Sequence, residues 1–347
     1  MAEKKKFKNP LSLQIDPALF ETATDEEKAQ QVTMRESVSF MKDAMRRLRK
    51  NKMAMVSLCV IVLIALIAFI VPTFYPYTYT KQDVTAQNLA PFQYSAKEQM
   101  KIDKGQNVFP HIMGTDNLGR DYAIRVIYGT RISLLVGIFS ALIVIVIGIL
   151  YGSVSGYFGG KVDMVMMRIV DIIYSLPDVL IVILLSVAIK DWVAGSKSEL
   201  IARLGAGMVS IFIVFGLLYW VSMARQVRGQ ILSIKEQEYV LASRAIGSGP
   251  FWIIRKHMIP NCVSVIIIIA AMQIPSAIFT ESFLSFLGLG VSVPMPSLGS
   301  LASDARSALR SYPYQLIFPA LSIFLIVLSF NLLGNGLRDA FDPKLRN

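Results

Sequence analysis

A chain of 347 residues that is 54% hydrophobic, only 17% charged and has a mean hydropathy of +0.53 is too apolar for an ordinary soluble domain. Its formal net charge of +11 does not point to nucleic acid, because the basic residues cluster beside apolar runs, where they set membrane topology. Cys59 and Cys262 lie in or beside apolar runs and there are two histidines, His111 and His257, which argues against a disulfide framework, a thiolate cage and a histidine-rich metal site.

Residues 1–32 are polar and charged without sustained periodicity, as in a loosely ordered tail. Met34, Val38, Met41, Met45 and Leu48 then recur at helical spacing opposite a basic face, and Thr33 to Glu36 fits a capping box. An amphipathic helix is expected over about 34–50, either lying on the inner leaflet or solvated. About 20 apolar residues cross the hydrocarbon core as a helix, so six runs are expected to span it: 53–71, 132–151, 162–189, 205–223, 263–284 and 314–334. No small-residue cleavage site closely follows the first run, which reads as a retained span.

Six spans put both termini on one side. Arg46, Arg47, Arg49, Lys50 and Lys52 precede the first span, and Arg225, Arg228, Lys235, Arg244, Arg255 and Lys256 stand between the fourth and fifth. The first outer loop holds seven basic residues and five acids, but long loops count weakly in the positive-inside rule. Both termini are therefore expected in the cytoplasm. The expected organisation is a tail over 1–52, a first span at 53–71, an extracellular loop at 72–131, a five-helix unit at 132–336 with a cytoplasmic segment at about 225–262, and a cytoplasmic tail at 337–347.

Gly148, Gly152, Gly156 and Gly160 are spaced four apart, a stripe that lets another helix approach closely. Pro177, Pro275 and Pro319 mark kinks in spans that line a pathway or absorb a rearrangement. Asp163, Arg168, Asp171 and Asp178 fall in or at the ends of the third span, and Glu281 near the end of the fifth. Such charges normally face protein or water. Arg168 and Asp171 are placed to pair along one helix face, for neutralisation or for a pathway. Glu281 lacks a local basic partner, which makes it, with Asp171, a candidate for the translocation pathway. GYFGGK at 156–161 fails as a nucleotide loop: it has three residues between the outer glycines, and Val162 stands where Ser or Thr would hold magnesium. HExxH, GxSxG and EF-hand patterns are absent, so the chain shows no catalytic apparatus.

The segment EYVLASRAIGSGPFWIIRKHMIPN, residues 238–261, is polar between apolar runs. Tyr239, Ala242, Ser243 and Ile246 fall at i, i+3, i+4 and i+7, giving one narrow face of small and apolar residues. Gly247 to Pro250 ends that helix and starts a second, over 251–258, which is expected to stop before Pro260 and lead into the fifth span. Helix, glycine turn, helix and span make a lever.

This segment resembles the EAA loop of binding-protein-dependent ABC importer permeases, whose pattern is EAA, three residues, Gly, nine residues, I-x-L-P. Ala242, Gly247 and Pro260 match; Leu241 stands for the glutamate, Ser243 for the second alanine, His257 for the first isoleucine and Ile259 for leucine. Glu238 lies one turn before the departure at Leu241. GTDNLGRD at 114–121, GTRISLLVG at 129–137, ESFLSFLGLG at 281–290 and GNGLRDAFDPKLR at 334–346 are similar to the peptide and nickel branch, in its C-type subunit. The resemblance implies an all-α polytopic membrane protein with the type I ABC importer permease fold. It implies as partners a homologous B-type permease, two cytoplasmic ATPases that bind ATP and Mg, and an extracellular or periplasmic peptide-binding protein, with no cofactor in this chain itself. Glu238, Tyr239, Ala242, Ser243, Ile246, Gly247 and Pro260 become the expected ATPase-coupling residues. A self-sufficient ion-coupled carrier, a receptor or scaffold, and a permease of the same family for nickel or another small solute are the alternatives.

Overall fold

The computed structural model describes residues 40–195, 198–291 and 295–341. The chain divides into two compact units, 1–43 and 44–347. Of the first, only residues 40–43 are described, as the start of helix α1 (Phe40–Lys50). The expectations for 1–32, Met34, Val38 and the capping box lie outside the described residues, as does the chain end after Phe341.

The second unit is helical, with one isolated bridge, Thr115 to Asp121, and no strand among the described residues. Helix α2 (Lys52–Phe74) is capped by Asn51, whose side chain accepts from the Ala54 amide at 3.2 Å. After the short α3 (Ala96–Asp103), α4 runs over Tyr122–Phe158, α5 over Gly160–Ser175 and α6 over Asp178–Ala194. A one-turn α7 (Glu199–Leu204) leads to α8 (Ala206–Val214), which passes through a π turn at Phe215–Tyr219 into α9 (Trp220–Lys235). Then come α10 (Glu238–Ala245), α11 (Pro250–Ile253), a second π turn at Ile254–Met258, α12 (Ile259–Phe286), α13 (Leu298–Asp304) and α14 (Tyr314–Phe341).

Five continuous helical stretches are long and apolar enough to cross a membrane, and α5 with α6 supplies a sixth, broken one. The expected spans at 53–71, 132–151 and 263–284 are the apolar middles of longer helices, and that at 314–334 is the first part of one, because hydropathy stops where side chains turn polar while the backbone ladder continues. At 37 residues α4 is about 55 Å long, well beyond a hydrocarbon core of about 30 Å.

Helix α4 packs on α2, α9 and α12, and α14 packs on α2 and α12. Without a hydrophobic drive between helices inside lipid, close van der Waals contact has to supply the association. The glycine stripe does so for three of its four members. A Cβ on Gly148 would stand 2.5 Å from Met223 Cβ, one on Gly152 2.4 Å from the Ala224 carbonyl oxygen, and one on Gly156 2.9 Å from Ile231 Cβ. Gly160 belongs to α5 and faces open space. At the other flank Gly336 of α14 meets Ala54 of α2, where an added Cβ would be 2.4 Å away. The start of α2 and the end of α14 thus share one end of the bundle. There Ala44 and Leu48 of α1 are buried with Ala340 and Phe341, while Met41 and Met45 are exposed. Leu48 of the expected apolar face is therefore spent on protein rather than on lipid or water, together with Ala44 beside it.

At the opposite end, residues 75–121 fold into a cap. Gly114 and Gly119 hold positive φ of 74° and 68°, and a Cβ on either would strike the backbone at Leu89 or Asp83. Between them Asp116 accepts from the amides of Leu118 and Arg120, each at 2.9 Å, and from the side chains of Arg120 and Arg125. Asp121 caps α4 through the Ile124 amide at 2.9 Å. GTDNLGRD is thus the stitching that starts α4. His111 is sandwiched: Nδ1 is 2.7 Å from Asp121, Nε2 is 3.2 Å from Glu98, and Tyr77 stacks on the ring at 4.5 Å.

Two predictions follow from this packing. Gly152→Ala should lower the thermal midpoint of the detergent-solubilised protein, since overpacking costs about 1–3 kcal/mol, whereas Gly229→Ala, which meets nothing within 4 Å on α9, should not. The second concerns pH. Burial opposes protonation of His111, but the hydrogen bond to Asp121 and the charge of Glu98 outweigh it, raising its pKa above the ordinary histidine value. A raised folded-state pKa stabilises fully below the unfolded value of about 6.5 and fades as pH climbs through the folded one. Protection of the amides across 75–121, taken relative to their intrinsic exchange at each pH, should therefore be greatest in mild acid and fall on the alkaline side, and His111→Gln should flatten that dependence.

Candidate functional site

The expected span over 162–189 is two helices that meet at 91°. Pro177 explains the break: it has no N–H to give and disfavours helical geometry at Leu176, which is extended at φ −78° and ψ 143°. Salt bridges to α9 hold α5 in place. Asp163 takes Arg228 through both carboxylate oxygens at 2.5 Å and also accepts from Ser155 of α4 at 2.5 Å. Asp171 accepts from Arg225 at 2.7 Å, and that guanidinium lies 4.1 Å over the Tyr174 ring. The expected Arg168–Asp171 pair does not form: Arg225 reaches across from α9 and takes Asp171, leaving Arg168 exposed.

Opposite the break, α8 passes into α9 through its π turn, a local widening that recurs at functional sites. The two irregularities enclose a cavity of about 480 Å³ whose polar lining includes Tyr174, Asp178, Tyr219 and Ser222. A second cavity, of about 490 Å³, opens between α9, α12 and α14, lined by Ser222, Gln226, Gln273, Ser276 and Arg338 among others. Ser222 lines both. Neither Asp171 nor Glu281 lines either cavity. Asp178 apart, these lining residues went unread in the sequence, although Ser222 and Gln226 at i and i+4, and Gln273 and Ser276 at i and i+3, are polar pairs on single faces of apolar spans.

Glu281 is fully buried. Its carboxylate accepts from Ser133 of α4 at 2.8 Å, Ser285 at 2.7 Å and Ser282 at 3.2 Å. Ser133 Oγ also accepts from the Leu298 amide at 3.4 Å, and Ser285 Oγ from the Val291 amide at 3.1 Å. The carboxyl group thus fastens the stretch after α12 onto α4, and its partners among the described residues are hydroxyls.

At the end shared by α1 and the close of α14, α10 presents Glu238, Tyr239, Leu241, Ala242 and Ile246 outward, with Ile246 82% exposed. Val240 and Ser243 turn inward, so the expected face loses Ser243 and gains Leu241. Gly247 alone needs glycine, at φ 84°; Gly249 has an ordinary φ of −69°. The second short helix does not stop before Pro260. It runs through the π turn into α12, which tolerates Pro260 in its first turn, and Asn261 donates to the His257 carbonyl at 2.6 Å. Phe251 and Trp252 are exposed beside Ile246 in sequence, and Pro260 is exposed as well.

Residues 145–347 match the family described as binding-protein-dependent transport system inner membrane component, and residues 39–91 match the N-terminal TM domain of oligopeptide transport permease C. The chain is 44% identical to the dipeptide transport system permease protein DppC of Bacillus subtilis over 90% of its own length and 88% of that protein's. It is 41% identical to the oligopeptide transport system permease protein OppC of the same organism, over 96% and 99%. It is also 39% identical to the glutathione transport system permease protein GsiD of Pectobacterium atrosepticum, over 76% and 82%. The chain belongs to the binding-protein-dependent transport permeases. It is a multi-pass protein of the bacterial inner membrane.

In this permease the larger match begins within α4 and takes in the broken span, both cavities and α10–α12. The smaller match covers α1, α2 and the start of the cap. Glu281→Ala should cost about 1–3 kcal/mol by leaving buried hydroxyls without their acceptor, read as a lower thermal midpoint and faster exchange in α13. Glu281→Gln, which keeps an acceptor oxygen, should lose clearly less.

Proposed function

We propose that this permease is the non-catalytic, C-type transmembrane subunit of an ATP-driven peptide importer, coupled to a cytoplasmic ATPase through α10 and α11. The observation that carries the reading is the outward apolar surface of Tyr239, Leu241, Ile246, Phe251 and Trp252, whose second part, on α11, continues without a break into α12. Large apolar side chains gathered at the polar end of a membrane helix mark a docking surface. The basic residues around that end favour a cytoplasmic position, where ATP is available. The peptide substrate is supported by the relatives at 44% and 41% identity, which are named as dipeptide and oligopeptide permeases.

In this mechanism a homologous B-type permease completes the pathway, and two ATPases carry ATP and Mg. An extracellular or periplasmic peptide-binding protein delivers the cargo. Closure of the ATPase dimer favours one permease conformation over the other, and that difference in affinity is the coupling energy. Leu241 stands where the family pattern has glutamate, so the seat on the ATPase rests on shape and apolar contact. Of the acids an ion-coupled carrier would use, Asp163 and Asp171 are paired to arginines and Glu281 is closed in by serines, which leaves Asp178 alone without a cation among the described residues.

Ile246→Asp and Gly247→Val should each reduce ATP-dependent peptide uptake about tenfold or more and weaken copurification of the ATPases, with membrane insertion unchanged. Gly247→Val acts by straining φ rather than by collision, since nothing lies within 4 Å of its added Cβ. Full uptake in both variants would overturn the coupling surface.

A further inference from the structure

Two charges, Asp178 in the broken span and Arg338 in the last turn of α14, stand apart from the ion pairs that hold the helices together. Asp178 accepts from the Val179 amide, at 2.8 Å, and meets no cation among the described residues. Arg338 donates to the Met272 sulfur at 3.0 Å and meets no carboxylate among them. A charge at membrane depth, such as Asp178, is retained where water or a partner of opposite sign can reach it, and Arg338 stands nearer the polar end of the bundle. Asp178 lines the cavity at the break, Arg338 lines the cavity between α9, α12 and α14, and the two cavities share Ser222.

Resting on the peptide-importer reading, we propose that the two cavities form a dipolar track for free-ended peptides. Asp178 receives the terminal ammonium and Arg338 the terminal carboxylate. Each cavity, near 480–490 Å³, has room for a small peptide fragment. Tyr174 and Tyr219 line the same cavity as Asp178. Gln226 and Gln273 both donate and accept, so they suit backbone amides, which every peptide carries whatever its side chains. Arg338 offers a planar fork that fits a carboxylate. The rest of the first cavity is largely apolar, with Ile181, Val182 and Leu218 in its wall, and asks nothing of side-chain charge. Such a track recognises what free peptides have in common, their two ends.

The test uses the assembled permease and ATPase complex carrying Ser222→Cys, with Cys59→Ser and Cys262→Ala to remove the native thiols. Trialanine should protect the new thiol from a maleimide, and N-acetyl-trialanine and trialanine amide should each need about tenfold more. Asp178→Asn should raise the protecting concentration of trialanine to that of the N-acetyl form, and Arg338→Gln to that of the amide. Asp178→Glu and Arg338→Lys should retain the discrimination, which separates charge recognition from damage to the fold. Equal protection by all three peptides, no protection by trialanine, or discrimination unchanged in Asp178→Asn and Arg338→Gln would overturn the track. The importer reading is judged separately, from ATP-driven trialanine uptake by the unsubstituted complex with its delivery protein. No uptake sinks that reading and the track with it, whereas uptake without discrimination at Ser222→Cys sinks the track alone.

Discussion

Three glycines at four-residue spacing bring α9 into backbone contact with α4, and most of the functional geometry hangs from α9. One face of that helix meets Gly148, Gly152 and Gly156 through Met223, Ala224 and Ile231. Neighbouring positions point elsewhere: Arg225 and Arg228 clamp α5, and Ser222 and Gln226 line the two cavities. Its last turn delivers the chain to α10. A helix seated this closely has little freedom to roll, so the clamp, the lining and the start of the coupling segment keep a fixed angular relation.

The irregular backbone falls where this scaffold gives it cover. The break at Pro177 and the π turn at Phe215–Tyr219 face one another across a cavity. Lipid gives unpaired amides and carbonyls no partner, so departures from the α ladder at membrane depth belong beside protein or water. The break frees α6 to leave the direction of α5 and pack on α8. At the other irregularity, Ile254–Met258, the chain turns from the docking surface into α12 without losing continuity.

The spans were legible because their composition is set by the bilayer, and the four-residue glycine spacing announced a close helix contact. Gly160 falls outside the contact because Gly159 has already ended α4, whereas Gly156 still belongs to it. The charges were legible as important but not in their partners: Asp171 has an arginine three residues away, yet its ion pair comes from 54 positions later in the chain. Glu281 looked unpaired because the search was for a cation, whereas three serines from two helices satisfy it. Pro260 looked like a stop because proline cannot continue an α ladder internally. A preceding π turn shifts the hydrogen-bond register and lets the helix begin anew there.

That π turn has a bearing on chain length. It accommodates an extra residue relative to an uninterrupted α-helix, and each residue of an α-helix turns the chain by about 100°. Removing one residue between Ile254 and Met258 would let the regular ladder close with Phe251 and Trp252 facing much as before, whereas removing one from the regular helix on either side would turn them by about 100° about the axis of α12. The orientation of the docking surface is thereby encoded in a count of residues as much as in their identity.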